Sequence, residues 1–356
     1  MPLILEAMKI THLLLSHSFA GTERYVVELA NAQAMSGHEV TVILHKRAAE
    51  DRPNSFAHRF NEKVRQLFVG GPSWIAFWWA RQVVQKLQTD VAHAHLSGGC
   101  RAIQSLRAPF LRVATLHIHY KPQQHRGMDA LITIAPWQMK EIPPDQLACT
   151  EQINNWTQAT KPDASAREKI RTELGIPTDT FLIGALCRAE KSKGLDVLID
   201  AYLTNPPANS RLVIVGGGHD WKALRKKAPA NILMPGFVTR PQDWFSAFDG
   251  YVSAARYEPF GLVFLEAFAA GLPVLSTATE GAQIFQALIG RPLLKCGDIH
   301  SMTKGLQHFL SERPAKRTYD LSDFTYENQV TRVEAFYKKQ WTRQRSNSLN
   351  EKITLQ

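Results

Sequence analysis

The chain has 356 residues, of which 44% are hydrophobic and 21% charged. This exceeds the roughly 100–200 residues of one domain and matches ordinary globular composition, so two domains are expected and a disordered or fibrous chain is excluded. The net charge of +10 divides into +4 up to residue 160 and +6 after it; an even excess argues against the basic stripe of a nucleic-acid binder and suits an anionic substrate or membrane face.

The opening MPLILEAMK lacks a basic start and a small-residue cleavage site, so no signal peptide is expected. Met8-Lys9-Ile10 reads as a strand opening, with the residues before it as an extension. KITHLLLS forms the first strand, and a loop from Ser16 to Gly21 follows. A helix is expected from about Glu23 to Met35, with Thr22 as N-cap, Val26, Leu29 and Ala30 on one face, and Gly37 as the stop. EVTVILH is the next strand. In SWIAFWWARQVVQKL, Trp74, Phe77, Trp78 and Arg81 recur at helical spacing with Lys86 nearby. Packing into the core is the commoner use of such a stripe; exposed, it would anchor the protein to an anionic leaflet. Strands follow at DVAHAHL, LRVATLH and ALITIA.

Residues 151–168 are polar and aperiodic, which sets the domain boundary at 160. The second half, 161–322, restarts the same grammar with TFLIGALC, the helix KGLDVLIDAYL, RLVIVGGG, ILMPGFV, GYVSAA, the helix GLVFLEAFAAG and PVLST. A final segment, 323–356, holds a helix from about Phe324 to Trp341, with Tyr326, Val330, Val333 and Tyr337 on one side, packing back toward the first domain. The tail after it is expected to fray. Strands alternating with helices imply an α/β protein made of two doubly wound, Rossmann-like halves with parallel sheets. No apolar run approaches the ~18–20 residues of a membrane span. Four separated cysteines fit neither a zinc ribbon nor a disulfide framework, and are expected as reduced thiols of a cytoplasmic protein.

The most informative run is EPFGLVFLE, from Glu258 to Glu266. The backbone amides of Gly261, Leu262 and Val263 would face a phosphate at a helix start, and a helical glutamate can accept from a ribose diol. Arg188, Lys191 and Lys193 follow the strand TFLIGALC, at the strand end where open α/β sheets bind ligands. LVIVGGGH, around Gly216, is a strand ending in a glycine turn without the G-x-G-x-x-G fingerprint. His93 with His95, and His117 with His119, are spaced to share a strand face, but neither pair has an obvious third ligand and no D-x-D pair exists. No metal site is therefore expected. Taken alone, the glutamate run also fits an amphipathic helix with solvated acids, the basic loop a solvated charged loop, and the histidine pairs the lining of a polar cleft.

Four of these runs, EPFGLVFLEAFAAGLPVLSTATEG, CRAEKSKGLDVLIDAY, LVIVGGG and MPGFV, occur in the order seen in retaining, GT-B-type glycosyltransferases. The chain resembles the large family that includes bacterial envelope mannosyl-, glucosyl- and N-acetylglucosaminyltransferases, and AGTERYVVELANAQAMSGHEVTV resembles that family's N-terminal domain. The resemblance implies an N-terminal acceptor domain and a C-terminal donor domain facing a central cleft. It also implies transfer of a sugar from a UDP- or GDP-linked donor to an acceptor hydroxyl with retained configuration, in polysaccharide, lipopolysaccharide or glycolipid synthesis.

By the same resemblance, Arg188 and Lys193 hold the diphosphate, Glu266 the ribose, and Glu258 lies beside the sugar with the Phe260–Val263 backbone (Gly261, Leu262, Val263). Gly216 belongs to the donor site, Gly236, Phe237 and Val238 border the base, Gly21 approaches the diphosphate or acceptor, and His117 faces the sugar. His95 matches a common pattern. The catalytic group is then Glu258, His117, Arg188 and Lys193, with no cofactor and no metal. The partners implied are the nucleotide-sugar, a saccharide or glycolipid acceptor and a peripheral anionic membrane, with no nucleic acid. Two departures stand out: Ala20 precedes Gly21 where paired glycines are usual, and the segment after Pro273 is short, with Glu280 as its acidic residue. A catalytically silent sugar-nucleotide-binding scaffold and a nucleotide-sugar epimerase of the same fold are the alternatives.

Overall fold

The computed structural model describes residues 7–52, 54–107, 109–158, 162–204 and 209–354. Contacts divide the chain into one unit of residues 1–155 with 326–356, and another of 156–325. The proposed N-terminal extension and the expected boundary at 160 lie outside the described residues.

In the first unit, β1 (Lys9–Leu14), β2 (Glu39–His45), β3 (Arg65–Val69), β4 (Val91–His95), β5 (Leu111–Leu116), β6 (Ala130–Thr133) and β7 (Thr150–Gln152) pair in parallel in the order β3-β2-β1-β4-β5-β6-β7. In the second unit, β8 (Phe181–Leu186), β9 (Ser210–Val215), β10 (Ile232–Gly236), β11 (Gly250–Ser253) and β12 (Val274–Ser276) form a parallel sheet ordered β10-β9-β8-β11-β12. Both are doubly wound α/β sheets. Central strands such as β4 and β11 are buried at every residue, as expected where helices cover both faces. In the second unit the core joins Ile183, Leu198, Leu212, Ile214, Leu306 and Phe309.

Strand order reverses between β1 and β4 in one sheet and between β8 and β11 in the other. Crossovers leave those neighbours in opposite directions, which opens a crevice at their carboxyl ends. The loops at these ends are Ser16–Gly21 and His95–Leu96 in the first unit, and Cys187–Gly194 and Ala254–Gly261 in the second.

Several local expectations are corrected. The first helix spans Gly21–Met35, two residues earlier than expected, with Ala20 as its N-cap residue. Thr22 lies inside it, and the Glu23 carboxylate folds back to accept the Ala20 amide at 2.9 Å. The aromatic helix spans Ser73–Lys86 and buries Ala76, Ala80 and Val84, one row at i, i+4 and i+8. These small side chains let it pack closely, and the stripe expected in the core faces outward: Trp74, Trp78 and Trp79 are 69%, 48% and 50% exposed. Phe77 alone of the aromatic residues packs against the core.

The last helix spans Tyr326–Thr354, so the tail expected to fray continues it. It belongs to the first unit, where Tyr326 Oη donates to the Glu28 carbonyl, and Arg332 and Arg343 donate to the Gln152 and Ala148 carbonyls. All four cysteines are unpaired thiols. Among the described residues no helix is long and apolar enough to cross a membrane.

Candidate active site

In the second unit the loops after β8 and β11 meet. The Lys193 ammonium donates to Glu258 Oε2 at 2.8 Å, with both side chains 17% exposed. The pair borders a pocket with Cys187, Tyr251, Ala255 and Val263. Burial pushes the Cys187 thiol up to about 12, so it stays a neutral wall. Tyr251 is raised by burial first and then by the fields of Cys187, Glu258 and Glu266. Both glutamates therefore act on one phenol, from opposite ends of the run that carries them.

That run turns into a helix, Leu262–Ala269, through Gly261 at φ +88°. A Cβ there would meet the Phe264 ring at 2.4 Å, so glycine is required on conformation and on space. Phe264 N donates to the Gly261 carbonyl, whereas the amides of Gly261, Leu262 and Val263 find no acceptor among the described residues. Three free donors and the positive end of the helix dipole lie together beside Val263 of the pocket, an anion-binding arrangement. Phe260 is buried at 3% and anchors the run beneath. Glu266, half-buried, projects from the second turn.

The other residues expected at a donor site lie in the loops around this centre. Gly216, at φ +126°, sits under the Arg188 loop, and a Cβ on it would be 2.0 Å from the Cys187 carbonyl. Its amide donates to Gly236 O at 2.9 Å, joining the glycine turn to the Gly236–Val238 segment. Phe237 is 70% exposed, a free aromatic face, and Val238 is half-buried. Arg188 turns instead to Glu190 at 2.9 Å with 67% of its side chain exposed, so it is not part of the Lys193–Glu258 cluster. The Gly281 amide donates to the Glu258 carbonyl at 2.7 Å, which seats the short segment carrying Glu280 directly on the Glu258 backbone.

Sequence reading missed the pair that holds these loops together. Arg256 binds Asp196 through both nitrogens at 2.7 Å and the Lys191 carbonyl at 2.9 Å, while its amide donates to Ser192 O at 2.8 Å. The carboxylate holds the Arg256 guanidinium above its ordinary range. The available signal was Asp196 in the first turn after the basic loop and Arg256 two residues before Glu258.

In the first unit Gly21 opens its helix and is exposed. His117, just past β5, is 8% exposed, and His95 at the end of β4 is fully buried. After His95 the chain takes a left-handed turn at Leu96, φ +58°, a strained conformation for leucine at the switch point. The third histidine that appeared to be missing beside His93 and His95 is His12. Parallel pairing sets it opposite His93, and ligand atoms of the three lie within 4.8 Å of one another. Each of their six ring nitrogens already has a hydrogen-bonding partner: Gln33, Tyr337, Thr115, His117 or another member of the three.

Residues 166–323 match the family Glycosyl transferases group 1, and residues 19–150 match Glycosyltransferase Family 4. Two relatives from Rhizobium meliloti are lipopolysaccharide core biosynthesis glycosyltransferases. LpsE is 25% identical over 78% of this chain and 81% of its own, and LpsD is 25% identical over 87% and 90%. A D-inositol 3-phosphate glycosyltransferase from Xylanimonas cellulosilytica is 34% identical over 36% of this chain and a third (33%) of its own length. Among solved structures, Anabaena HepE in complex with UDP and glucose superposes with a TM-score of 0.71 at 18% identity, covering 97% of this chain and all (100%) of that one. WaaG, a glycosyltransferase involved in lipopolysaccharide biosynthesis, gives 0.67 at 16% over 93% and 98%.

Arg256→Met should loosen the turn that presents Lys193. A partly exposed charge-assisted pair contributes about 1 kcal/mol, so native-state hydrogen exchange at the Lys193 and Gly194 amides should quicken roughly fivefold while the β8 amides hold. Unchanged protection at Lys193 and Gly194 would show that the Arg256–Asp196 pair does not secure the turn.

Proposed function

Because the chain belongs to the GT-B glycosyltransferases of the group 1 and family 4 type, we propose that it moves a sugar from a nucleotide-sugar to an acceptor hydroxyl with retained configuration. The observation that carries this is the Lys193–Glu258 pair set beside three unpaired helix amides at the β8/β11 crevice. A diphosphate leaving group suits that place. As the bond from the anomeric carbon to phosphate oxygen breaks, charge grows on the phosphate, where Lys193 and the amides of Gly261, Leu262 and Val263 can take it up, joined by Arg188 once its exposed side chain swings from Glu190.

Until donor arrives, Glu258 keeps the Lys193 ammonium paired in a partly buried site; the diphosphate then shares that cation. The acceptor oxygen forms the new bond on the face the leaving group vacates, and its proton passes to a phosphate oxygen. No protein base and no metal are needed for that step. Glu266 is assigned to the ribose hydroxyls, Phe237 with Gly236 and Val238 to the base, and Gly21 and His117 to the diphosphate and sugar from the first unit's loops. The UDP in the HepE structure favours a uridine nucleotide. The relatives LpsE and LpsD favour an acceptor in lipopolysaccharide core synthesis. Arg188→Ala and Lys193→Ala should each weaken UDP or GDP binding by roughly tenfold or more and leave the nucleoside unaffected, as read by calorimetry. Equal losses for diphosphate and nucleoside would remove the assignment.

Peripheral membrane contact is a second part of this reading, and the outward Trp74, Trp78 and Trp79 favour it. Trp78 and Trp79 pack edge to face at 4.9 Å, forming a rigid apolar surface. Between residues 63 and 112 there are seven Lys or Arg and a single acid, Asp90. Arg81 donates to Ser105 Oγ at 2.8 Å, next to the exposed Arg101 and Arg107. Aromatic side chains rimmed by cations fit the interface of an anionic bilayer. The protein should co-sediment with phosphatidylglycerol vesicles at low salt, less so at high salt, and not after Trp74, Trp78 and Trp79 are replaced together by serine. Absence of binding at low salt rules the contact out.

A further inference from the structure

The first unit contains an unbroken buried chain of side-chain hydrogen bonds that ends at His117. Gln33 Oε1 meets His12 Nε2 at 2.8 Å, His12 Nδ1 meets His95 Nε2 at 3.2 Å, and His95 Nδ1 meets His117 Nε2 at 3.2 Å. Three elements supply it: β1 carries His12, β4 carries His95, and the Gly21–Met35 helix carries Gln33. Gln33, His12 and His95 are fully buried, whereas His117 keeps 8% of its surface. Desolvation first of all lowers His12 to about 4 and His117 to about 3, and drives His95 well below its ordinary range, so all three rings are neutral near pH 7.

A neutral imidazole has one N–H and one bare nitrogen, and an amide oxygen only accepts. Gln33 Oε1 therefore takes the proton of His12 Nε2–H, which leaves His12 Nδ1 bare. That nitrogen must accept from His95 Nε2–H, so His95 Nδ1 is bare and accepts from His117 Nε2–H. His117 Nδ1, which has no partner among the described residues, is left as a lone pair.

We infer that Gln33, His12 and His95 are positioning residues that lock His117 in one tautomer, so that it offers the sugar a hydrogen-bond acceptor and never a donor. The lock favours a donor sugar with a free hydroxyl at that point over one with an ether or carbonyl there. The inference rests on the reading that His117 meets the sugar. The strained Leu96 that follows His95, and a branch in which His93 binds Tyr337 and Thr115, brace the same strand. Reversing the Gln33 amide would reverse every proton in the chain, so one buried side chain sets the polarity of a group three links away.

Long-range ¹H–¹⁵N NMR of protein with ¹⁵N-labelled imidazoles, with His117→Gln used for assignment, reads which nitrogen carries the proton. At pH 7 wild type should show His117 in the Nε2–H form alone. Gln33→Met removes the acceptor and should bring in the Nδ1–H form; Gln33→Glu keeps an acceptor oxygen and should restore the single form. Turnover should fall roughly tenfold in Gln33→Met, the loss of about one hydrogen bond, with unchanged affinity for UDP or GDP and recovery in Gln33→Glu. An Nδ1–H or mixed His117 in wild type overturns the lock, and this measurement needs no variant to fold. Tautomers that shift as expected while turnover stays constant would keep the lock and overturn the reading of His117 at the sugar.

Discussion

A parallel sheet whose crossovers depart in opposite directions leaves the carboxyl ends of two neighbouring strands uncovered. Everything assigned to the donor site hangs from that constraint. β8 and β11 are those neighbours in the second unit, and the loops leaving them carry Lys193 and Glu258. Arg256 ties one loop to the other through Asp196 and two carbonyls. The glycine turn after β9 closes from the side, because only glycine fits beneath the Cys187 carbonyl.

The electrostatics follow from the same placement. A lysine and a glutamate sharing a partly buried pocket would be costly apart, and together they form a neutral pair that an anion can reopen. The helix start next to them contributes fixed donors that need no reorganisation when charge develops. In the first unit the switch point is built differently, with neutral, desolvated histidines whose protons are ordered by a single amide. One sheet thus presents charge and the other presents an ordered lone pair, each from the carboxyl ends of its central strands.

Much of this was legible in the sequence because central parallel strands write themselves as continuous apolar runs. TFLIGALC, RLVIVGGG and GYVSAA all became strands, and the loops after two of them hold the site. β3 and β7 were not legible: RQLFV lies on a sheet edge and buries Val69 alone, and TEQ is three residues of polar chain. The Gly21–Met35 helix began early because Glu23 caps backward, a contact that residue type alone does not distinguish from a solvated acid. The outward tryptophans run against aromatic periodicity because Ala76, Ala80 and Val84 form the small row that packs. Arg256–Asp196 and the His12–His95 link join residues 60 and 83 positions apart, and only the strand order brings them together.

The central claim is transfer from a nucleotide-sugar with retention, carried by the chain's own cations and amides. Its most direct test is ¹H NMR of the protein incubated in EDTA with a panel of UDP- and GDP-linked α-hexoses, with water as the acceptor, read before the released sugar mutarotates. The account predicts release of a nucleoside diphosphate from one of these donors, with the α-anomer of its sugar appearing first. A β-anomer appearing first, or release that begins only when a divalent metal is added, would contradict it.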